Sequence, residues 1–364
     1  MGQFSKNSRI TVTNEYGEII SPETLVMTPS TENIRLSDEE HYFLKIVAVR
    51  LFTLDRYSEK KVKVLYHYTS CSALQSILRG SKQKCTSPVL YFTRFDSLND
   101  KDEKNDIIKF KQRYSQKKFE SGEISQSFYD VLNDVSVSSK KIIPTERETD
   151  DINPLDSNER EQECDVYLCC FSKEDDLLPM WNYYSKSNHY EGYCIGFSNK
   201  SFQELRFKGN SFKLEVYKVI YSDEEKEKIF DSFFIPLAQD YDSGSDKQKE
   251  QIKQQISFFL ADFQYLFKNK AFEHEKEMRA ILYIPKNVNT SNMENDYISN
   301  IKYRDSHGYI VPYIEFTCPE NSVVSVKTAP LLERELAIKN LSEYLEHLGY
   351  KDVIVDSSSI PIRF

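Results

Sequence analysis

Three segments of the chain carry residue types whose spacing suits chemistry. The first is Tyr66-His67-Tyr68-Thr69-Ser70, at the end of an alternating strand-like run. His67 shares a face with Thr69 just where the strand gives way to a loop, so its imidazole is placed to hydrogen-bond a ligand hydroxyl or carboxamide. The alternative is a half-buried ring bonded to a neighbouring backbone carbonyl. The second is Met180-Trp181-Asn182-Tyr183-Tyr184. Helical spacing puts Trp181 and Tyr184 on one face, where flat rings either meet a planar ligand such as a nicotinamide or pack in a core. The third is Glu273-His274-Glu275-Lys276-Glu277-Met278-Arg279-Ala280-Ile281-Leu282. As a strand it lines Glu275, Glu277, Arg279 and Ile281 on one face and packs Met278, Ala280 and Leu282 inward. Two carboxylates so close repel unless Arg279 or a substrate compensates, which can raise one carboxyl pKa. The row is then a solvated charge ladder or a device that stabilises an oxocarbenium-like centre or holds a sugar hydroxyl. A fourth segment, Asn99-Asp100-Lys101-Asp102-Glu103, is a polar turn able to close over a site; its spacing excludes a calcium loop of EF type.

These segments need a frame. Residues 9–20 suggest a short strand or hairpin, and Ser37 followed by Glu40 is a capping-box pattern that opens a helix ending before Arg56. Strand patterns follow at 62–69, 89–93, 166–171, 192–197, 212–220, 275–284, 309–316, 323–327 and 353–355. Helical patterns lie at 72–78, 178–184, 246–270 and 331–348. The stretch 106–165 reads as helical or loose and highly charged, with 145–163 an exposed acidic loop. Short strands interrupted irregularly by helices indicate an α+β fold, not a doubly wound parallel sheet.

Composition narrows the function classes. With 364 residues the chain suits one elaborated domain, or one domain plus an extension. Lysine plus arginine number 48 against 57 acidic residues, a net charge of −9 that disfavours a broad nucleic-acid groove. No window approaches the roughly 18 apolar residues of a spanning helix, and the first residues hold no secretory core, so a cytoplasmic protein without membrane contact is expected. Seven cysteines without a C-x-x-C pair favour reduced thiols, and the absent ligand spacing gives no expectation of a metal. Neither the Rossmann nor the P-loop glycine pattern occurs. The 24 tyrosines and 23 phenylalanines beside 10 glycines suit aromatic cores better than a phosphate cradle.

Taken in order, YHYTS, TRFDSLNDKDE, CFSKEDDLLPMWNYY, EGYCIGF, FEHEKEMRAIL, VPYIEF and SSSIPIRF resemble the bacterial domain-of-unknown-function family 2971 over residues 62 to 364. Lys101 and Asp102 stand where that family usually has proline and phenylalanine. The resemblance implies an ADP-ribosyltransferase-like split β-sandwich of mainly antiparallel strands with peripheral helices, binding NAD as substrate. On this expectation residues 1–60 are an N-terminal extension and 61–364 the domain, with a charged insertion near 106–165. His67 would hold a ribose hydroxyl and the nicotinamide side, Tyr184 would stack on the nicotinamide, and Glu277 would bond the ribose 2′-hydroxyl as the glycosidic bond breaks. Glu277 is preferred to Glu275 as the second member of an E-x-E pair, leaving Glu275 to orient the acceptor; Tyr184 is preferred to Tyr183 by the W-x-x-Y spacing. Thr69, Asn99, Asp100, Trp181, Glu275 and Arg279 complete the binding set. The expected activity is NAD-dependent ADP-ribosyl transfer to a protein or nucleic-acid acceptor, in a toxin or phage-defence setting, with a regulatory partner protein among the expected contacts. The alternatives are an NAD glycohydrolase and a non-catalytic sensor of a nucleotide or partner.

Overall fold

The computed structural model describes residues 12–13, 19–20, 38–59, 61–79, 86–98, 103–138, 140–142, 161–185, 191–203, 213–286, 297–306 and 308–362. The strands β1 (Val12–Thr13) and β2 (Ile19–Ile20) pair antiparallel, and α1 spans Asp38–Asp55. Then come β3 (Val64–Thr69), α2 (Cys71–Arg79), β4 (Val89–Arg94), α3 (Glu103–Glu120), α4 (Gln126–Asp134), β5 (Lys140–Ile142) and β6 (Glu161–Ser172). The middle holds α5 (Leu178–Tyr184), β7 (Tyr193–Ser198), α6 (Asn199–Gln203), β8 (Lys213–Lys218), α7 (Asp223–Ser243) and α8 (Asp246–Phe263). A 3-10 turn, Lys270–Glu275, leads into β9 (Glu277–Pro285). The chain continues through β10 (Lys302–Ser306), β11 (Tyr309–Thr317), β12 (Val323–Thr328), α9 (Arg334–His347) and β13 (Ile354–Ser357).

All but the first two strands belong to an open, mostly antiparallel sheet that branches at β6. One edge of β6 pairs along its length with β9, which pairs in turn with β8. The other edge is shared. β4 takes Tyr167 and Leu168, carrying β11 and β10 outward, while β3 takes Ser172 alone and carries β7, β12 and β13. Among the described strands only β12 and β13 pair in parallel.

Because β6 and β9 are covered on both sides, alternate residues feed two cores. Val166, Leu168, Ile281 and Tyr283 face a layer built from α1, α3, α4, α7 and α8. Tyr167, Phe171, Met278, Ala280 and Leu282 face the opposite core, closed by α2, α6 and α9. The phenylalanine excess is spent in the helical layer, where Phe233 stacks on Phe259 with ring centroids 4.4 Å apart and Phe230 packs edge-on to Phe110 and Phe234.

The α+β expectation holds in its coarse form. Several particulars differ. Helix α7 and strand β10 carry no expectation from the sequence; α7 contains Pro236, which reads as a breaker but sits in a helix capped by Ser222 and anchored by Phe230, Phe233 and Phe234. The N-terminal helix is integral to the fold: Ile46 and Leu54 enter the helical core and Arg50 pairs with Asp262 at 3.7 Å. Within the charged stretch 106–165, Phe110, Tyr114, Phe128 and Leu132 are core residues and 161–165 open β6. Most of the expected acidic loop, along with Asn99 and Asp100, lies outside the described residues. Among the described residues no helix is long and apolar enough to cross a membrane, and Cys71, Cys169, Cys170, Cys194 and Cys318 carry free thiols.

Candidate functional site

The branching of the sheet creates a fork. On the edge of β6 shared by β3 and β4, residues 169–171 have no strand partner among the described residues, because β3 leaves β6 after the Tyr66–Ser172 pair. His67 is the next residue of β3. Its Nδ1–H donates to the carbonyl of Cys170 at 3.1 Å, and its ring packs edge-on to Phe171. Donation to a carbonyl fixes the proton on Nδ1 and leaves Nε2 as the acceptor nitrogen. Burial lowers the imidazole pKa, against the opposing pull of the Cys170 carbonyl, which keeps the ring neutral at neutral pH. The backbone-bonded alternative for His67 is therefore the one seen, with the bond made at the fork itself.

On the far side of Cys170 lies a buried charge cluster. Glu277 opens β9 opposite Ser172, on the side of that strand that faces the helical layer. Arg279 Nε donates to Glu277 Oε1 at 2.7 Å and Nη2 to Oε2 at 3.1 Å, while Nη1 donates to the Tyr265 carbonyl at 2.6 Å. Lys268 Nζ donates to Glu277 Oε2 at 2.8 Å and to Glu275 Oε2 at 2.7 Å. Cys170 pairs across the sheet with Arg279 and so lies on the same face as the cluster. Tyr221 Oη accepts the Glu277 backbone N–H at 3.0 Å. Burial pushes the Glu277 carboxyl up, but the charges of Arg279 and Lys268 outweigh it and hold the pKa near 2. Burial likewise raises the Cys170 thiol, and the Glu277 charge raises it further.

This geometry corrects the sequence-based expectation for the acidic pair in three respects. Every residue of β9 is buried, so Glu277 and Arg279 form no solvated ladder. Glu275 closes the 3-10 turn instead of lying on the strand, and left-handed Lys276 (φ 47°) separates it from Glu277. The Glu277 carboxyl is lowered, not raised, because Arg279 grips it and Lys268 stands between the two acids.

Helix α5 forms the third wall. Tyr184 is 47% exposed at the end of this helix, and its phenol pKa is raised by desolvation and by the nearby glutamates Glu277 and Glu275. Tyr183 bonds His274 Nε2 through its hydroxyl at 2.7 Å, tying α5 to the turn that carries Glu275. Trp181 does not share the exposed face of Tyr184. It is fully buried, edge-on to Tyr68, with its indole N–H on Asp176 at 2.9 Å, so its ring is a core element and not a ligand platform. Thr69 is buried at the end of β3 and pairs with Tyr193. Gly192 lets α5 approach that point: a Cβ there would lie 2.6 Å from Ser185 Cβ and 2.9 Å from the Thr69 carbonyl.

The structure thus brings His67, Tyr184, Glu275, Glu277 and Arg279 into one neighbourhood and turns Trp181 inward. Sequence reading missed Lys268, Cys170, Tyr221 and Tyr265. The available signal for Lys268 was its position directly after the aromatic run from Phe258 to Phe267, where a lysine drawn into the core must find an acid. Among the described residues no group of three or more His, Cys, Asp or Glu could hold a metal ion.

A family model described as "Protein of unknown function (DUF2971)" matches residues 180–280, a stretch that includes Tyr184, Lys268, Glu275, Glu277 and Arg279 but not His67. No curated protein and no solved structure matches the chain.

Proposed function

We propose that the fork between β3 and β6, together with α5 and the start of β9, is a nucleotide site at which the nicotinamide glycosidic bond of NAD is broken and ADP-ribose passes to a protein or nucleic-acid acceptor. The observation that carries this reading is the approach of a neutral imidazole and a buried carboxylate to the two edges of one residue of β6. The Cys170 carbonyl accepts from His67, Cys170 pairs across the sheet with Arg279, which holds Glu277, and Tyr183, beside Tyr184 on α5, bonds His274 next to Glu275. In the proposed reaction Tyr184 stacks on the nicotinamide, and neutral His67 offers Nε2 to a ribose hydroxyl. The carboxylates of Glu277 and Glu275 stabilise the positive charge that develops on the ribose as the C–N bond lengthens. A Glu277 carboxyl held near pKa 2 stays ionised throughout, as a charge-stabilising group must.

A second reading has its own observation. Arg279 and Lys268 supply three donors to Glu277, close to the number a carboxylate accepts, so little capacity is left for a ribose hydroxyl. That saturation favours a module that binds a nucleotide without turning it over.

Nicotinamide release from NAD, followed for the wild type, Glu277→Gln and Tyr184→Ala with and without cell lysate, separates the two. Release that is abolished in both variants and stimulated by lysate supports transfer. Release indifferent to lysate supports hydrolysis. Calorimetric binding of NAD without release, unaltered in Glu277→Gln, supports the binding module and overturns the catalytic reading.

A further inference from the structure

Helix α5 has seven residues, and its N-cap position, Leu177, makes no side-chain cap. So short a helix does not hold its own place. What holds it is the segment just before it, fastened to the far end of the chain at two successive aspartates. Asp175 pairs with Lys327 of β12 at 2.8 Å. Asp176 gathers four donors: Oδ1 accepts Trp181 Nε1 at 2.9 Å and Ser358 Oγ at 2.6 Å, while Oδ2 accepts the Ser359 N–H at 2.9 Å and Ser359 Oγ at 3.1 Å. Ser358 is itself pinned to β12 by its N–H on the Thr328 carbonyl at 2.9 Å. Ile360 then covers the small core made by Tyr68, Met180, Trp181, Cys194 and Ala329.

We propose that residues 357–362 form a strap that sets α5 in place through Asp176, making Asp176 the positioning residue for Tyr184. One carboxylate joins the strap to the indole of Trp181. Tyr184 follows Trp181 by three residues, less than one helical turn, so the indole anchor fixes where the phenol sits relative to Glu277. The consequence for catalysis rests on the glycosidic-bond reading, whereas the grip on α5 does not.

The test uses the full chain with Ser358→Ala/Ser359→Ala, which cuts the strap side of the junction, and Asp176→Asn, in which an amide nitrogen faces the donors of Ser359. Hydrogen exchange is followed at residues 177–185 and along β9, together with emission from Trp181, the single tryptophan of the chain. The expected result is exchange in α5 accelerated about tenfold or more and a red-shifted emission, with β9 protection unchanged. Unchanged α5 exchange and emission in the double serine variant would overturn the proposal, as would equal losses of protection in α5 and β9, which would make the strap part of the global fold. If the wild type releases nicotinamide, both variants should lower kcat about tenfold; if it releases none, the nucleotide reading fails while the exchange result still decides the strap.

Discussion

Lys268 Nζ lies 2.8 Å from Glu277 Oε2, with both side chains withdrawn from solvent. A buried pair of this kind is costly to leave half-made, although Glu277 keeps its two bonds from Arg279 when Lys268 is lost. Lys268→Met is therefore expected to destabilise the protein by about 1–3 kcal/mol. The double variant Lys268→Met/Glu277→Gln should lose less than the sum of the two single changes. Urea unfolding of the four proteins measures this coupling, and additive losses would show that the contact contributes little.

The same carboxyl sets an acid limit. Its pKa falls from 4.5 to about 2 on folding, so its stabilisation is complete above the unfolded value and is lost as pH drops from 4.5 toward 2. Unfolding free energy should decline through that window in the wild type and decline less steeply in Glu277→Gln. Urea midpoints taken between pH 5 and 2.5 give the two slopes.

His67 contributes at a higher pH. Its folded pKa lies below the ordinary 6.5, so the neutral ring stabilises the fold fully above 6.5, and that contribution is lost as the pH falls through the folded value. In an NMR titration the ring should take up its proton at a pH below the ordinary 6.5. His67→Phe, which leaves the Cys170 carbonyl without its donor, should cost about 1 kcal/mol at pH 7.5 and reduce the loss of stability between pH 6.5 and 5.

Gly192 tests whether the approach of α5 matters. A Cβ at that position meets the Thr69 carbonyl at 2.9 Å, a backbone atom that cannot swing aside. Gly192→Ala should shift α5 relative to β3 and speed exchange in α5, and lower any NAD turnover by about tenfold, a change of roughly 1.4 kcal/mol in transition-state binding. Tyr184→Ala provides the contrast, since removal of a half-exposed ring should leave stability within about 0.5 kcal/mol. A Gly192→Ala protein with unchanged α5 exchange would show that the helix does not need that approach.

Gln255 is a liability inside the helical layer. It is fully buried on α8, and neither end of its amide meets a partner among the described residues. Gln255→Met keeps the volume and removes the unpaired polar atoms, so the urea midpoint should rise, by about 1 kcal/mol of stability.

Local pattern determined much of this protein. Alternation marked β3, β7, β11 and β12, helical spacing placed α5 at Leu178–Tyr184, and the irregular mixture of strands and helices fixed the α+β class. The sequence also marked His67, Tyr184 and the two glutamates as residues to watch, because polar and aromatic types at element ends are legible from neighbours alone. It did not show which side of each element would be covered. Covering depends on contacts made far along the chain: α8 and the segment after it bring Tyr265 and Lys268 onto the Glu277 face of β9, and the tail brings Ser358 to Asp176 across 182 positions. Alternation in β9 was consistent with an exposed acidic face, and only the helical layer decided otherwise by excluding water and bringing Lys268 beside the strand's own Arg279. The turn of Trp181 into the core and of Tyr184 toward the fork was settled in the same way, since three residues of helical spacing fix the angle between two rings but not which of them meets the rest of the molecule.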